Sequence, residues 1–407
     1  MLSRYRKEKK PITEDQLITV PLLVKGLALL VLVLVVPLEL ILRGTIEDVG
    51  ERIVLHIQKS RTESSDNFFR YLSYIADNVF LLAVAPALYH IYDPRRAIRL
   101  ILIWCFSMYL SSLISLIYGE PRPYWSDNDI KGISCDNGFG LPSPECMLGT
   151  VVYGSLSVEF FQKKDKWIKT IVYSCTYIIL GTLGYGGIYM GEHYPHQVFI
   201  SYCYGYVFII ICFAFDKKIM NLTMKSCFRY KANKKYSVYW YIGTLFLLLG
   251  AIAIYDEITL TTNIDIRWIA NASKDCNLKY DVGGSSSFYR SAWIFYNFGL
   301  VAGSMHLSKK LTMFWWLTDY WRRWVRFAIS FGFSLGVYYL FALLNLNDTT
   351  TDFTFHYAVP YFIISYTYSG LLPLVFAKIQ LVVNVGPGID DDDGFTGISS
   401  VGPHTFK

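Results

Sequence analysis

The chain has 407 residues, of which 53% are hydrophobic and 17% aromatic, with a mean hydropathy of +0.32 and a net charge of +6. Its apolar residues fall in runs of roughly 20, the length that crosses a hydrocarbon core of about 30 Å as a helix, and this excludes a soluble globular enzyme. The basic residues lie between those runs rather than on one face, which excludes a nucleic-acid partner. The fold class expected is all-α and polytopic, with about ten transmembrane helices.

Residues 1–19 form a basic tail with Arg4, Arg6, Lys7, Lys9 and Lys10. The first apolar run, near Ile18–Leu42, is too long for a removable signal segment and lacks a small-residue cleavage site. It reads as a retained first helix that, with the polar stretch after it, makes up residues 20–70. Further spans are predicted near Tyr71–Tyr92, Ala97–Gly119, Pro142–Phe161, Trp167–Gly191 and Pro195–Phe215. These compose a core over 71–215. A basic loop over 216–235 precedes C-terminal helices over 236–385, near Tyr236–Tyr255, Ser291–Leu307, Trp324–Leu346 and Tyr357–Val385. Residues 386–407, with Asp390 to Asp393, form an acidic tail.

Loop charge orients these spans. Arg95 with Arg96, Lys163 with Lys164 and Lys166, Lys217 to Lys235, and Lys309 to Arg323 fall in alternate connections together with the N-terminal tail. The positive-inside rule places these connections and both termini in the cytosol. The opposite, lumenal side then receives the sequons at Asn271 and Asn347, while the one at Asn221 stays cytosolic and unused. Cys135 and Cys276 share the lumenal side, where they form a disulfide or remain two free thiols. Cys105, Cys175, Cys203 and Cys212 lie in apolar runs and read as small core residues.

Three stretches converge on that lumenal side: Glu120–Trp125 (EPRPYW), Gly140–Met147 (GLPSPECM) and Gly186–Val198 (GGIYMGEHYPHQV). They resemble the three motifs of the type 2 phosphatidic acid phosphatase superfamily. Arg122-Pro123-Tyr124-Trp125, and Gln197 four residues after His193, resemble its glucose-6-phosphatase branch. The resemblance covers roughly residues 66–381. It implies a six-helix phosphatase core, with the first helix extra, and the endoplasmic reticulum or another internal membrane as the location.

The resemblance also implies roles. His193 matches the histidine that attacks phosphate and forms a phosphohistidine, and Arg122 matches an arginine that holds the phosphate oxygens. Ser143 is the retained serine of the second motif. Three positions depart: Ser115 stands at the family lysine, Glu145 at the histidine that protonates the leaving group, and Gly187 at the third-motif arginine. Pro144 also replaces a glycine. Cationic donors on the equatorial oxygens stabilise a phosphoryl transition state, and each such donor is worth roughly 10²–10³ in rate, so losing two costs on the order of 10⁴–10⁶.

Beside each role stands a plainer one. His193 is otherwise an interfacial histidine with satisfied hydrogen bonds, and His196 a structural hydrogen-bonding residue. Arg122 is otherwise a snorkelling cation. Ser143 caps a helix beginning at Pro144, with Glu145 favouring its dipole. Gly186 and Gly187 permit close helix packing. The reading that follows is a catalytically impaired pseudophosphatase acting as a binding, scaffold or regulatory membrane subunit. The rival is an active lumenal phosphohydrolase of a sugar phosphate such as glucose 6-phosphate, with His193 as nucleophile and Glu145 as acid. A third reading is a subunit of a large complex in another organelle's membrane. The expected partners are membrane lipid, a phosphorylated small molecule or anion, and other membrane protein subunits. No metal site and no cofactor are expected.

Overall fold

The computed structural model describes residues 18, 20–228, 230–261, 264–276, 283–310, 318–344 and 349–382. Among them the chain is helical, with α1 (Leu22–Gln58), α2 (Glu63–Ser73), α3 (Asn78–Ala87), α4 (Pro94–Tyr118), α5 (Pro123–Ser126), α6 (Pro144–Phe161), α7 (Lys166–Tyr189) and α8 (Pro195–Ala214) in the first half. There follow α9 (Asp216–Cys227), α10 (Tyr230–Thr261), α11 (Ile266–Asp275), α12 (Gly284–Tyr289), α13 (Trp293–Ser308), α14 (Tyr320–Ala342) and a broken helical run, α15 (Thr349–Lys378). The acidic tail and Asn347 lie outside the described residues.

Seven of these helices are long and apolar enough to cross a membrane, or eight if the pair Glu63–Ala76 and Val79–Tyr92, bent by 45°, is one span. The sequence expectation of about ten includes two helices that fall below this measure of length and apolarity. Two of the expected spans correspond to α6, an 18-residue helix diluted by Glu145, Glu159 and several hydroxyl residues, and α13, only 16 residues long. Both are lined with buried residues and pack mainly against neighbouring helices. The chain is an integral membrane protein all the same: α1, α7, α10 and α14 turn exposed Leu, Ile and aromatic side chains outward, as a hydrocarbon surround requires.

The three motif stretches share one structural device, a proline at the first position of a helix. Pro123 opens α5, Pro144 opens α6 and Pro195 opens α8, where a missing N–H and a fixed φ cost nothing. The Ser143 hydroxyl accepts from Cys146 N at 3.4 Å, and Gln197 Oε1 accepts from Tyr194 N at 3.1 Å, so the α6 and α8 starts are also capped. α4 runs from Asp93, which caps it, to Gly119 in left-handed conformation (φ 59°), and so delivers the first motif to the same end of the bundle.

The main core forms around α3, α4, α13 and α15, with Trp104, Tyr89, Trp293, Tyr296 and Tyr368 fully buried. α13 approaches α15 closely through small residues. A Cβ on Gly370 would stand 2.7 Å from Gly303 Cα, and one on Gly299 would meet Phe362 O at 2.5 Å. A buried ionic cluster ties α4 to its neighbours: Arg99 pairs with Glu159 of α6 and with Asp216 of α9 (2.7 Å), and Arg96 reaches Glu159 at 2.8 Å. α1 lies along α8, and its end reaches the motif loops through Val54, buried beside Tyr124, Trp125, Ile130 and Tyr194. Cys105 and Cys212 are buried as expected of core residues, but Cys175 is exposed on the outer face of α7 and Cys203 half-buried, because membrane helices put apolar residues outward as readily as inward.

Candidate functional site

The site is assembled where α5, α6 and α8 begin. His193, in the turn between α7 and α8, is buried, and its Nδ1 lies 2.8 Å from the Gly140 carbonyl. That acceptor fixes the neutral tautomer with Nδ1–H donating, leaving Nε2 as the lone-pair nitrogen. Gly140 must be glycine for this approach, since a Cβ there would stand 2.6 Å from Gln197 Oε1. Burial lowers the imidazole pKa below its ordinary value despite the facing Glu145, so the ring is neutral near pH 7. Nε2 has no hydrogen-bond partner among the described residues, and Glu145 Oε2 faces it at 3.4 Å. The Ser143 hydroxyl, besides capping α6, donates to that same carboxylate oxygen at 3.0 Å.

Arg122 is completely buried at the start of α5, where Nε donates to Gly138 O (2.6 Å) and Nη2 to Asp136 Oδ2 (2.6 Å). Arg290, from the turn after α12, donates through Nη2 to the same Asp136 oxygen at 2.8 Å. Asp136 Oδ1 accepts from Gly138 N (3.0 Å) and Ser286 Oγ (3.3 Å). Burial works to raise the Asp136 pKa, but the two guanidiniums and the Gly138 N–H outweigh it and hold the carboxyl far below the usual range. Asp136 is therefore an anion held as a bound phosphate would be, by two arginines and a backbone amide.

The remaining members are carboxylates and a vacancy. Glu192 is buried, and burial followed by the nearby Glu145 charge pushes its pKa up to about 8. Gly187 packs against His193, where a Cβ would approach Cδ2 to 3.1 Å. Ser115 lies beneath, sharing a 2.9 Å hydrogen bond with Ser287. Pro144 and Glu145, with Asp77, Asp136 and Arg290, border a cavity of about 220 Å³.

The structure brings His193, Glu145, Ser143 and Arg122 together, while Ser115 stays one layer below. The residues that sequence reading missed are Asp136, Glu192 and Arg290. Arg290 lies 168 positions after Arg122 in a polar connection, with no spacing to point at it. Asp136 carried one signal, its position next to Cys135, whose sulfur is bonded to that of Cys276 and so anchors the loop. The Asn271 amide, where a glycan would attach, donates to the Trp125 carbonyl at 2.9 Å. Glu39, Glu120 and His196 bring possible metal-ligand atoms within 4.8 Å of one another. The Arg43 guanidinium already lies 2.8 Å from both carboxylates and supplies the positive charge there.

A model of the PAP2 superfamily matches residues 96–221. The chain is similar to lipid phosphate phosphatase delta of Arabidopsis thaliana, at 26% identity over 156 residues, covering 35% of this chain and 36% of that one. It is also similar to glucose-6-phosphatase 3 of Rattus norvegicus, at 24% identity over 235 residues, covering 52% and 62%. The matches thus span about a third and three fifths of these curated relatives. A transmembrane PAP2 type phosphatidylglycerolphosphate phosphatase from Bacillus subtilis superposes with a TM-score of 0.40 at 15% identity, over 47% of this chain and 96% of the other. Residues 96–221, which contain all three motif stretches, are a PAP2 superfamily domain in a glucose-6-phosphatase-like membrane chain.

Proposed function

We propose that the chain is a pseudophosphatase, a glucose-6-phosphatase-like membrane subunit whose phosphate seat is filled by its own carboxylates. Its role is binding, scaffolding or regulation, with the motif face in the lumen of the endoplasmic reticulum or another internal membrane. One observation carries the reading: Arg122 and Arg290 both end on Asp136, and Glu145 faces the His193 lone pair. A phosphate dianion entering here meets spoken-for cations and a carboxylate where the relatives place a proton donor. Repulsion and lost donors act together against the transition state.

A second reading, active hydrolysis of a sugar phosphate through a phosphohistidine, draws on the His193 tautomer. Nδ1–H is held by Gly140 O, which leaves Nε2 electronically ready to attack. In that scheme a protonated Glu145 gives its proton to the leaving oxygen.

Phosphate release from glucose 6-phosphate and from lipid phosphates, with purified wild type and His193→Ala in detergent, separates the two. The expected result is no difference between the proteins; turnover that disappears in His193→Ala overturns the pseudophosphatase reading. A rebuilt site gives the complementary test. Ser115→Lys, Glu145→His and Gly187→Arg together should give weak release, and adding Asp136→Asn should raise it by tenfold or more, about the worth of one freed charged donor.

A further inference from the structure

We infer that the cavity bordered by Glu145, Asp136 and Arg290 binds a small hydroxylated amine in its protonated form, a net monocation, in place of a phosphate ester. The inference rests on the pseudophosphatase reading and names the class of ligand for the same site.

The walls argue for it by charge. Asp77, Asp136 and Glu145 border the cavity, against the single guanidinium of Arg290. With Arg122 behind Asp136 counted as well, three carboxylates face two cations, a balance of one negative charge that a monocation neutralises and a dianion worsens. Four aromatic residues, Tyr289, Trp293, Tyr357 and Tyr361, border the same space. An ammonium over such faces, close to a carboxylate, gains from the ring quadrupoles as well as from the ion pair.

Two buried groups point to what the rest of the ligand offers. Among the described residues, the hydroxyl of Tyr361, 1% exposed, has no hydrogen-bond partner, and neither has Nη1 of Arg290, 9% exposed. Buried polar atoms left alone are costly, and a ligand hydroxyl satisfies either one. A cavity of 150 Å³ admits benzene, so the 220 Å³ here holds a molecule of roughly ten non-hydrogen atoms.

The experiment titrates purified full-length protein in detergent, reading tryptophan fluorescence and heat. The probes are glucosamine, choline, glucose and glucose 6-phosphate. Trp293 in the wall makes the fluorescence sensitive to occupancy. Glucosamine should bind at least tenfold more tightly than glucose, its uncharged counterpart, and more tightly than glucose 6-phosphate. Glu145→Gln should weaken it tenfold or more, and Tyr361→Phe about threefold. Should Glu145→Gln fail to fold, the wild-type ranking of the four probes decides alone. Glucose binding as well as glucosamine, or glucose 6-phosphate binding better, overturns the inference, as does silence toward both amines from folded protein. Those failures leave the pseudophosphatase reading intact if no His193-dependent phosphate release is seen. His193-dependent release removes both.

Discussion

Asp136 decides the character of the site because one side chain satisfies two buried arginines. Asp136→Ala leaves Arg122 and Arg290 facing each other without a counter-ion, and removing one partner of such a pair costs about 3–5 kcal/mol. The expected outcome is a lowered apparent Tm in detergent that millimolar phosphate raises again, while phosphate leaves the wild-type Tm unmoved. Glu192 gives a second handle. Its folded pKa, about 8, lies above the ordinary carboxyl value, so the folded state holds a proton that the unfolded state releases from about pH 4.5 upward. That contribution is complete below pH 4.5 and lost as pH rises to 8. Apparent Tm should therefore fall between pH 5.5 and 8.5, and Glu192→Gln should flatten the decline. At this scale the sequence was legible only where a motif fixed the position. His193, Arg122, Ser143 and Glu145 could be read from spacing, whereas Arg290 reaches the site through the packing of α12 against α4, which no local pattern encodes.

Helix starts explain why three separated stretches meet. Each motif carries a proline at the first helical position, and the helices they open begin at one end of the bundle. Ser143 serves twice there, accepting from Cys146 N and donating to Glu145, so Ser143→Ala removes a cap worth about 1 kcal/mol and also frees the carboxylate. A modest fall in Tm and a changed amine affinity in the titration above would report the two roles separately; an unchanged affinity would mean that Ser143 is a cap alone. Ser143 and Pro144 made this helix start visible in the sequence. The number of spans is harder to read, because α6 and α13 are short and carry polar residues while packing mainly against neighbouring helices. Hydropathy registers burial without saying what does the covering.

Across the whole molecule, the bond between Cys135 and Cys276 joins two loops 141 positions apart and holds the stretch bearing Asp136 next to α11. For a freely unfolding chain, closing a loop that long contributes roughly 4–5 kcal/mol. The membrane already confines the helices between these loops, so Cys135→Ser should cost clearly less, measured as apparent Tm with and without reductant. The basic segment expected as a loop over 216–235 is mostly helical, α9 followed by the start of α10, and accessibility of single cysteines placed at the exposed Lys218 of α9 and at residues 126–140 tests the orientation that loop charge suggests. Labelling of both from the same side of sealed vesicles would refute the assigned orientation.

Asp136 competes with any free anion for Arg122 and Arg290. A group tethered by a short loop is present at its receptor at a fixed effective concentration, of about millimolar or above, whatever the surroundings contain. A free anion of equal intrinsic affinity must reach that figure merely to share the two arginines. On the pseudophosphatase reading the protein thus carries its own occupant, and weakly held anions around it do not displace Asp136 from Arg122 and Arg290.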